Sequence, residues 1–158
     1  MTVGNFAVAM MIRHFIDHGH KAILLVGGAT GMIGDPDGKN RNVTSYRLKI
    51  SNATSVVYLS SIVKSSAGHD FEIVDNYDWF KGMGYLDFLR DVGKHVPVRQ
   101  MLGREFVQER LGDDGSGISY AEFSYALIQG YDFLHLYREM GATLQVAGST
   151  NGATALPV

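Results

Sequence analysis

Tyr125, Gln129 and Asp132 stand at i, i+4 and i+7 of the segment running from Tyr120 to about Glu139. On an α-helix, at about 100° per residue, these positions fall within roughly 60° of one another. A phenol, an amide and a carboxylate would then share one face of a segment otherwise rich in Phe123, Leu127, Ile128, Phe133, Leu134 and Leu136. Solvent-facing stripes usually carry Lys and Glu, so this stripe can be read as a polar wall for a small ligand; a solvated face is the plain alternative. A second set lies near the start, in Ala22-Ile-Leu-Leu-Val-Gly-Gly-Ala-Thr-Gly-Met-Ile-Gly-Asp-Pro36. Glycines at the carboxyl end of an apolar run let the backbone take positive φ and come close to a ligand at the crevice of an open α/β sheet. Asp35 would be a carboxylate at that mouth, unless the stretch is a glycine-rich turn that only reverses the chain.

The elements that must position these groups are legible in outline. Ala22–Val26 has no polar alternation, which suits a strand buried on both faces of a parallel sheet. Phe71–Val74 alternates as a second short strand and ends in the polar and aromatic cluster Asp75-Asn-Tyr-Asp-Trp79. Ser119-Tyr-Ala-Glu122 has capping-box spacing, which starts the striped helix at Tyr120. Before the first strand, Val8, Met11, Ile12, Phe15 and Ile16 predict one apolar face of a helix over 5–18, with Gly19 at its C-cap. His14 and His18 are one turn apart and could share a metal, but no third ligand is in reach; they are read as solvated or capping side chains. Tyr85–Val92 predicts an amphipathic helix with Leu86, Leu89 and Val92 inward, Met101–Leu111 another helix, and Thr143–Ala147 a last strand. Ser55–Val63 is read as helical, within a stretch over 43–66 whose pattern is weak. Asp37–Arg41 is a polar loop in which Lys39 and Arg41 could offer charge to an anion.

Composition narrows the function classes. With 158 residues and 46% hydrophobic content, one domain with a real core is expected. A formal net charge of -2 gives no global basic field of the kind that announces nucleic-acid binding. The absence of cysteine rules out disulfides and thiolate metal sites and fits a reducing compartment. No apolar run approaches the roughly 20 residues that span a bilayer, and the start lacks a basic segment before a hydrophobic core, so a cytoplasmic protein is expected. A dinucleotide fingerprint needs Gly-x-Gly-x-x-Gly, whereas the chain has Gly28-x-x-Gly31-x-x-Gly34; a P-loop needs Gly-Lys before Ser or Thr, and Asn40 follows Gly38-Lys39.

Five stretches, taken in order, carry a resemblance: Met1-Thr-Val-Gly-Asn5, Val26–Pro36, Asn76-Tyr-Asp-Trp79, Phe88-Leu-Arg-Asp-Val-Gly-Lys-His95, and Gly117–Phe133. Together they resemble the catalytic domain of bacterial tyrosyl-tRNA synthetase. The resemblance implies an α/β fold, the Rossmann-like catalytic domain of a class I synthetase, with a parallel sheet flanked by helices and incomplete here. Residues 1–158 would be part of the tyrosine- and ATP-binding domain, with no anticodon-binding domain. The implied activity is that of a tyrosine-tRNA ligase: the tyrosine carboxylate attacks the α-phosphate of ATP, and the tyrosyl group then passes to the tRNA. Such chemistry rests on positioning and on stabilising developing charge rather than on a protein nucleophile.

Carried over by position, Asp35, Tyr125 and Gln129 receive the tyrosine ammonium, with Thr30 and Asn76 nearby, and Asp132 reads the phenol hydroxyl. A site built around a hydroxyl rejects the analogue lacking it by about 10⁵, a magnitude already known from tyrosyl-tRNA synthetase itself. Thr2, Gly4, Asn5 and Gly148 fall on the ATP side, and Asn5 and Lys39 on the catalytic side. The implied partners are L-tyrosine, ATP with its Mg2+, tRNA(Tyr) and a second copy of the chain; no metal held by the protein and no membrane are implied. The chain also departs from the pattern. Thr2 replaces the first signature histidine, Val43 replaces a basic residue, and Thr150-Asn-Gly-Ala-Thr154 replaces Asp-Gln-Trp-Gly-Asn after Ser149, removing an acidic ribose partner. The strand before the signature and the Lys-Met-Ser-Lys-Ser-like loop are not found. A fragment or degenerate copy, weak or inactive alone, is therefore expected, with a non-catalytic tyrosine-binding remnant as the alternative.

Overall fold

The β-branched and leucine-rich run Ala22–Val26 forms strand β1, and it pairs in parallel with β2, Phe71–Asp75, in the register Ala22↔Phe71 through Val26↔Asp75. The structure, a computed structural model, describes residues 3–34, 71–112, 115 and 117–146. Among them β1 and β2 make a two-stranded sheet. The Asn76 N–H continues the ladder to the Val26 carbonyl at 3.0 Å. Both strands therefore deliver their carboxyl ends to the same edge, the place where open parallel sheets form ligand crevices.

Helix α1, Val3–Asp17, precedes β1. Ala9 and Ile16 are buried, whereas Met11, expected inward, is half exposed. Val8, Ile12 and Phe15 of the predicted stripe are half-buried and Ile16 is buried, so the covered face is the predicted one with Ala9 added and Met11 turned out. Gly19, at φ 85°, ends the helix. His20 N–H reaches Phe15 O, and Gly19 N–H reaches Ile16 O, the bond pair of a Schellman cap. His18 Nδ1 is 2.8 Å from the His14 carbonyl, so this ring closes the helix end.

The stretch after β1 is a helix rather than a turn: α2 spans Gly28–Ile33. Of its glycines only Gly34, just past the end, has positive φ, at 91°. After β2 come α3, Tyr77–Phe80, and α4, Tyr85–Asp91, then a short 3-10 turn at Gly93–His95. Val92 is fully buried, but Leu86 is 77% exposed, contrary to the sequence expectation. The inward line of α4 runs through Phe88 to Val92 instead.

The helix expected over Met101–Leu111 is two, α5 at Val98–Leu102 and α6 at Glu105–Leu111. Gly103 lowers helix propensity at the break, and Arg104 is extended, with φ -74° and ψ 136°. The Gln108 amide donates to the Leu102 carbonyl that the break leaves open.

Helix α7, Tyr120–Met140, starts at the predicted capping box. The Ser119 hydroxyl accepts from Glu122 N–H, and the Glu122 carboxylate accepts from Ser119 N–H at 2.9 Å. Arg110 donates to Glu122 at 3.0 Å and to the Gly117 carbonyl at 2.8 Å, tying the end of α6 to this cap. Gly141, left-handed at φ 68°, ends the helix. Ala126 and Leu127 join Val92, Val96 and Met101 in the core, with Phe88, Phe123 and Tyr131 packed around them.

The strand expected at Thr143–Ala147 is not formed over Thr143–Val146, and Ala147 lies outside the described residues. A strand needs a ladder partner, and Leu144 instead stands 67% exposed. The expected helix at Ser55–Val63 and the loop at Asp37–Arg41 lie outside the described residues. No described helix is long and apolar enough to cross a membrane.

Candidate functional site

The core occupies one side of α7, and the Tyr125, Gln129 and Asp132 stripe lies on the opposite side, toward α2 and the end of β2. Asp132 is 2% exposed, so its part of the stripe is no solvent face. Tyr125 and Gln129 are half-buried on the same face. An ionised carboxylate accepts and cannot donate, and two N–H groups converge on this one. Asn76 Nδ2 donates to Asp132 Oδ2 at 3.0 Å, and Trp79 Nε1 donates to Asp132 Oδ1 at 2.9 Å. Each oxygen has about two acceptor positions, so each keeps one beyond these bonds.

Burial pushes the Asp132 carboxyl up to about 6. The bonds from Asn76 and Trp79 pull it down, and the Asp75 charge adds to the rise. Asp132 thus stays mostly ionised at neutral pH, yet it is held by neutral donors and its charged neighbour has the same sign. Among the described residues that is a carboxylate kept available rather than neutralised by an ion pair.

Asn76 is the hub of the arrangement and has no exposed surface. Its amide nitrogen also donates to Thr30 Oγ1 at 3.3 Å, and its amide oxygen accepts from Ala29 N–H at 2.7 Å. The side chain is thereby oriented from three directions: α2 through Ala29 and Thr30, and α7 through Asp132. Just before it, Asp75 Oδ1 accepts from Gly28 N–H at 3.0 Å. The first two amides of α2, which a helix cannot satisfy internally, are taken by the end of β2. In dinucleotide-binding folds that amino terminus faces the pyrophosphate; here the protein's own carboxylate occupies it.

Trp79 stacks on His135 with ring centroids 4.3 Å apart and planes 22° apart. Phe80 meets Tyr131 at 5.5 Å. These ring contacts fix α3 against α7 and hold the indole N–H on Asp132.

Of the residues singled out in the sequence, Thr30, Asn76 and Asp132 are brought into one hydrogen-bonded chain. Tyr125 and Gln129 lie on the same helix face, about two turns and one turn before Asp132. Gly4 and Asn5 sit in the first turn of α1. Thr2, Asp35, Lys39 and Gly148 lie outside the described residues. Among the described residues no group of three or more His, Asp or Glu could hold a metal ion.

The sequence reading assigned no role to Trp79 or Asp75, and it took Gly28 for one of the glycines of a ligand-facing turn with positive φ, which it does not have. A signal for the first was available: Asn76 and Trp79 are three apart, so a single helical turn puts both side chains on one face. No comparable local signal marks Asp75 and Gly28, which meet across 47 positions.

A family model described as tRNA synthetases class I (W and Y) matches residues 1–151. The chain is 46% identical over 153 residues to the tyrosine-tRNA ligase of Bacteroides fragilis, covering 93% of this chain and 36% of that protein. It is 44% identical over 153 residues to that of Cytophaga hutchinsonii, covering 94% and 35% respectively. The fold is similar to a C-terminally truncated mitochondrial tyrosyl-tRNA synthetase of Aspergillus nidulans, with a TM-score of 0.81 and 29% identity over 97% of this chain and 46% of that one. The counterpart from Coccidioides posadasii gives a TM-score of 0.79 and 28% identity over 97% and 44%. The chain spans about a third of the length of these curated relatives.

Proposed function

Because the chain belongs to the class I tRNA synthetases (W and Y) and has their Rossmann-like fold, we propose that its site binds L-tyrosine and that its role is tyrosine activation for transfer to tRNA. The observation that carries this reading is Asp132: a carboxyl group 2% exposed and held by two neutral N–H donors, with acceptor positions to spare. A phenol hydroxyl is a donor of matching chemistry, and an aromatic ring suits a mouth walled by a helix with Tyr125 on the same face.

In this reading Tyr125 and Gln129, together with Asp35, meet the ammonium group, with Thr30 nearby. Asn76, carried over from the resemblance as near the ammonium, orients Asp132 and is itself oriented by α2. ATP with its Mg2+ is the second substrate, met by Thr2, Gly4, Asn5 and Gly148, with Asn5 and Lys39 acting on the phosphates. Residues 1–158 are read as part of a catalytic domain, whose partners would be tRNA(Tyr) and a second copy of the chain.

A second reading is favoured by Thr150-Asn-Gly-Ala-Thr154, which lacks an acidic ribose partner. It is a tyrosine-binding protein without catalysis. Calorimetric titration with tyrosine, beside ATP-pyrophosphate exchange, separates the two. Tyrosine binding with exchange supports activation, binding without exchange supports the second reading, and the absence of tyrosine binding refutes both.

A further inference from the structure

Asp75 touches no ligand in the reading above, yet it holds two elements of the site together. Its Oδ1 accepts from Gly28 N–H at 3.0 Å and from Tyr77 N–H at 2.9 Å. One carboxylate oxygen thus joins the first residue of α2 to the first residue of α3. The neighbouring Asn76 takes the next amide of α2, Ala29 N–H, at 2.7 Å.

The same carboxylate explains the glycine opposite. A Cβ built on Gly28 would meet, as its three nearest heavy atoms, the two oxygens and the carbon of the Asp75 carboxyl group, with the carbon at 2.7 Å. Backbone strain does not demand glycine at this position. Positive φ among the described glycines is confined to Gly19, Gly34, Gly117 and Gly141. Within a helix alanine is the better residue, so the absence of a side chain at position 28 serves the approach of Asp75.

We propose that Asp75 is a positioning residue of the site: its carboxylate seats on the side-chain-free start of α2 and so fixes how Thr30 faces Asn76 and, through Asn76, Asp132. The connection is short. Thr30 Oγ1 accepts from Asn76 at 3.3 Å, and Asn76 holds Asp132 at 3.0 Å. A shift of α2 must be taken up by the Asn76 amide, which also meets Ala29. The inference rests on the tyrosine-site reading.

The test is a mutant cycle on the full chain, read by tyrosine titration at a temperature where circular dichroism shows every variant folded, with thermal unfolding alongside. Asp75→Ala is expected to weaken tyrosine binding about tenfold, the scale of one lost hydrogen bond to a charged group. Asp75→Asn, whose amide oxygen still accepts from Gly28 and Tyr77, restores most of that affinity. Gly28→Ala weakens binding and lowers the melting temperature in the parent chain, but raises the melting temperature in the Asp75→Ala background, where the better helix former meets no carboxylate. Should Asp75→Ala fail to fold, Asp75→Ser, shorter by one atom, takes its place in the cycle.

Unchanged tyrosine affinity in a folded Asp75→Ala chain overturns the inference. So does a Gly28→Ala cost that is the same with and without the carboxylate. A parent chain that binds no tyrosine overturns the functional reading instead, so the two failures are distinct.

Discussion

Asn76 and Asp132, 56 positions apart, meet in the interior through an amide N–H on a carboxylate oxygen at 3.0 Å. This bond joins the carboxyl end of a parallel strand to the face of the longest described helix, and it gives the buried carboxylate one of its two donors. The consequences for selectivity, stability and pH response follow from what each partner loses when the other is changed.

Asp132→Ala is expected to abolish the preference for tyrosine over phenylalanine, because the acceptor for the phenol hydroxyl is gone. Competition titrations with the two amino acids measure it. Selectivity equal to that of the parent chain would refute the assignment of Asp132 as the hydroxyl reader.

Asn76→Ala leaves Ala29 N–H, Thr30 Oγ1 and Asp132 each short of a partner at a buried or half-buried position. A cost of about 3 kcal/mol or more in urea unfolding is expected, since three groups lose a partner and each buried group left unsatisfied costs about 1–3 kcal/mol. Trp79→Phe is the gentler companion: the ring stack on His135 is kept, but Asp132 loses its second donor, for about 1–3 kcal/mol. Trp79 is the sole tryptophan, so this variant is followed by circular dichroism rather than fluorescence.

Asp132 also sets a pH dependence of distinctive sign. Its carboxyl sits at about 6 in the fold against an ordinary 3.8, chiefly through burial. Between these values the native chain holds more protons than the unfolded chain, so the Asp132 contribution to stability falls as pH rises from about 4 to about 6 and is level above. A gap of about two pH units corresponds to roughly 3 kcal/mol. Urea midpoints of the parent chain and Asp132→Asn, compared across this window, should converge toward low pH, with the variant gaining on the parent as pH rises. Parallel curves would show that Asp132 titrates at its ordinary value.

Glu122 behaves in the opposite sense. Hydrogen bonds from Ser119, backbone first and then hydroxyl, and from Arg110 draw its carboxyl from 4.5 to about 2. The stability it contributes is therefore fully present above pH 4.5 and is lost as pH falls through about 2. Ser119→Ala is expected to cost about 1 kcal/mol at neutral pH, with part of the acid sensitivity removed. A neutral effect in thermal unfolding would show that the cap does not hold α7.

The core gives a contrast between two residues of neighbouring helices. Met101→Ala, from a side chain 5% exposed, is expected to cost about 2–5 kcal/mol. Leu86→Ala, from one 77% exposed, should stay within about 0.5 kcal/mol. Chemical denaturation of both variants checks the pair, and a large loss at Leu86 would place it in an interface.

What the sequence by itself determined is what acts over a few residues. The capping box at Ser119 and Glu122 set the start of α7, and the 3.6-residue period put Tyr125, Gln129 and Asp132 on one face. The unbroken run Ala22–Val26 made a strand, Gly19 ended α1, and five ordered motifs pointed to the family. Each signal rests on helix geometry, propensity or spacing that neighbours in the chain impose.

The tertiary structure decided which faces are buried and which residues meet. Periodicity marked Leu86 and Met11 as apolar, but no partner surface covers them among the described residues, and they face outward. The glycine-rich stretch could be read as a turn, yet it became α2 because Asp75 and Asn76 arrive from β2 to satisfy its first amides. The contacts that make the site, Gly28 with Asp75, Asn76 with Thr30, and Trp79 with Asp132, span 46 to 53 positions. They depend on the parallel register that sets Val26 beside Asp75, and on α7 closing over the strand ends. That register is fixed by burial and ladder bonding between distant segments, which no window of neighbouring residues encodes.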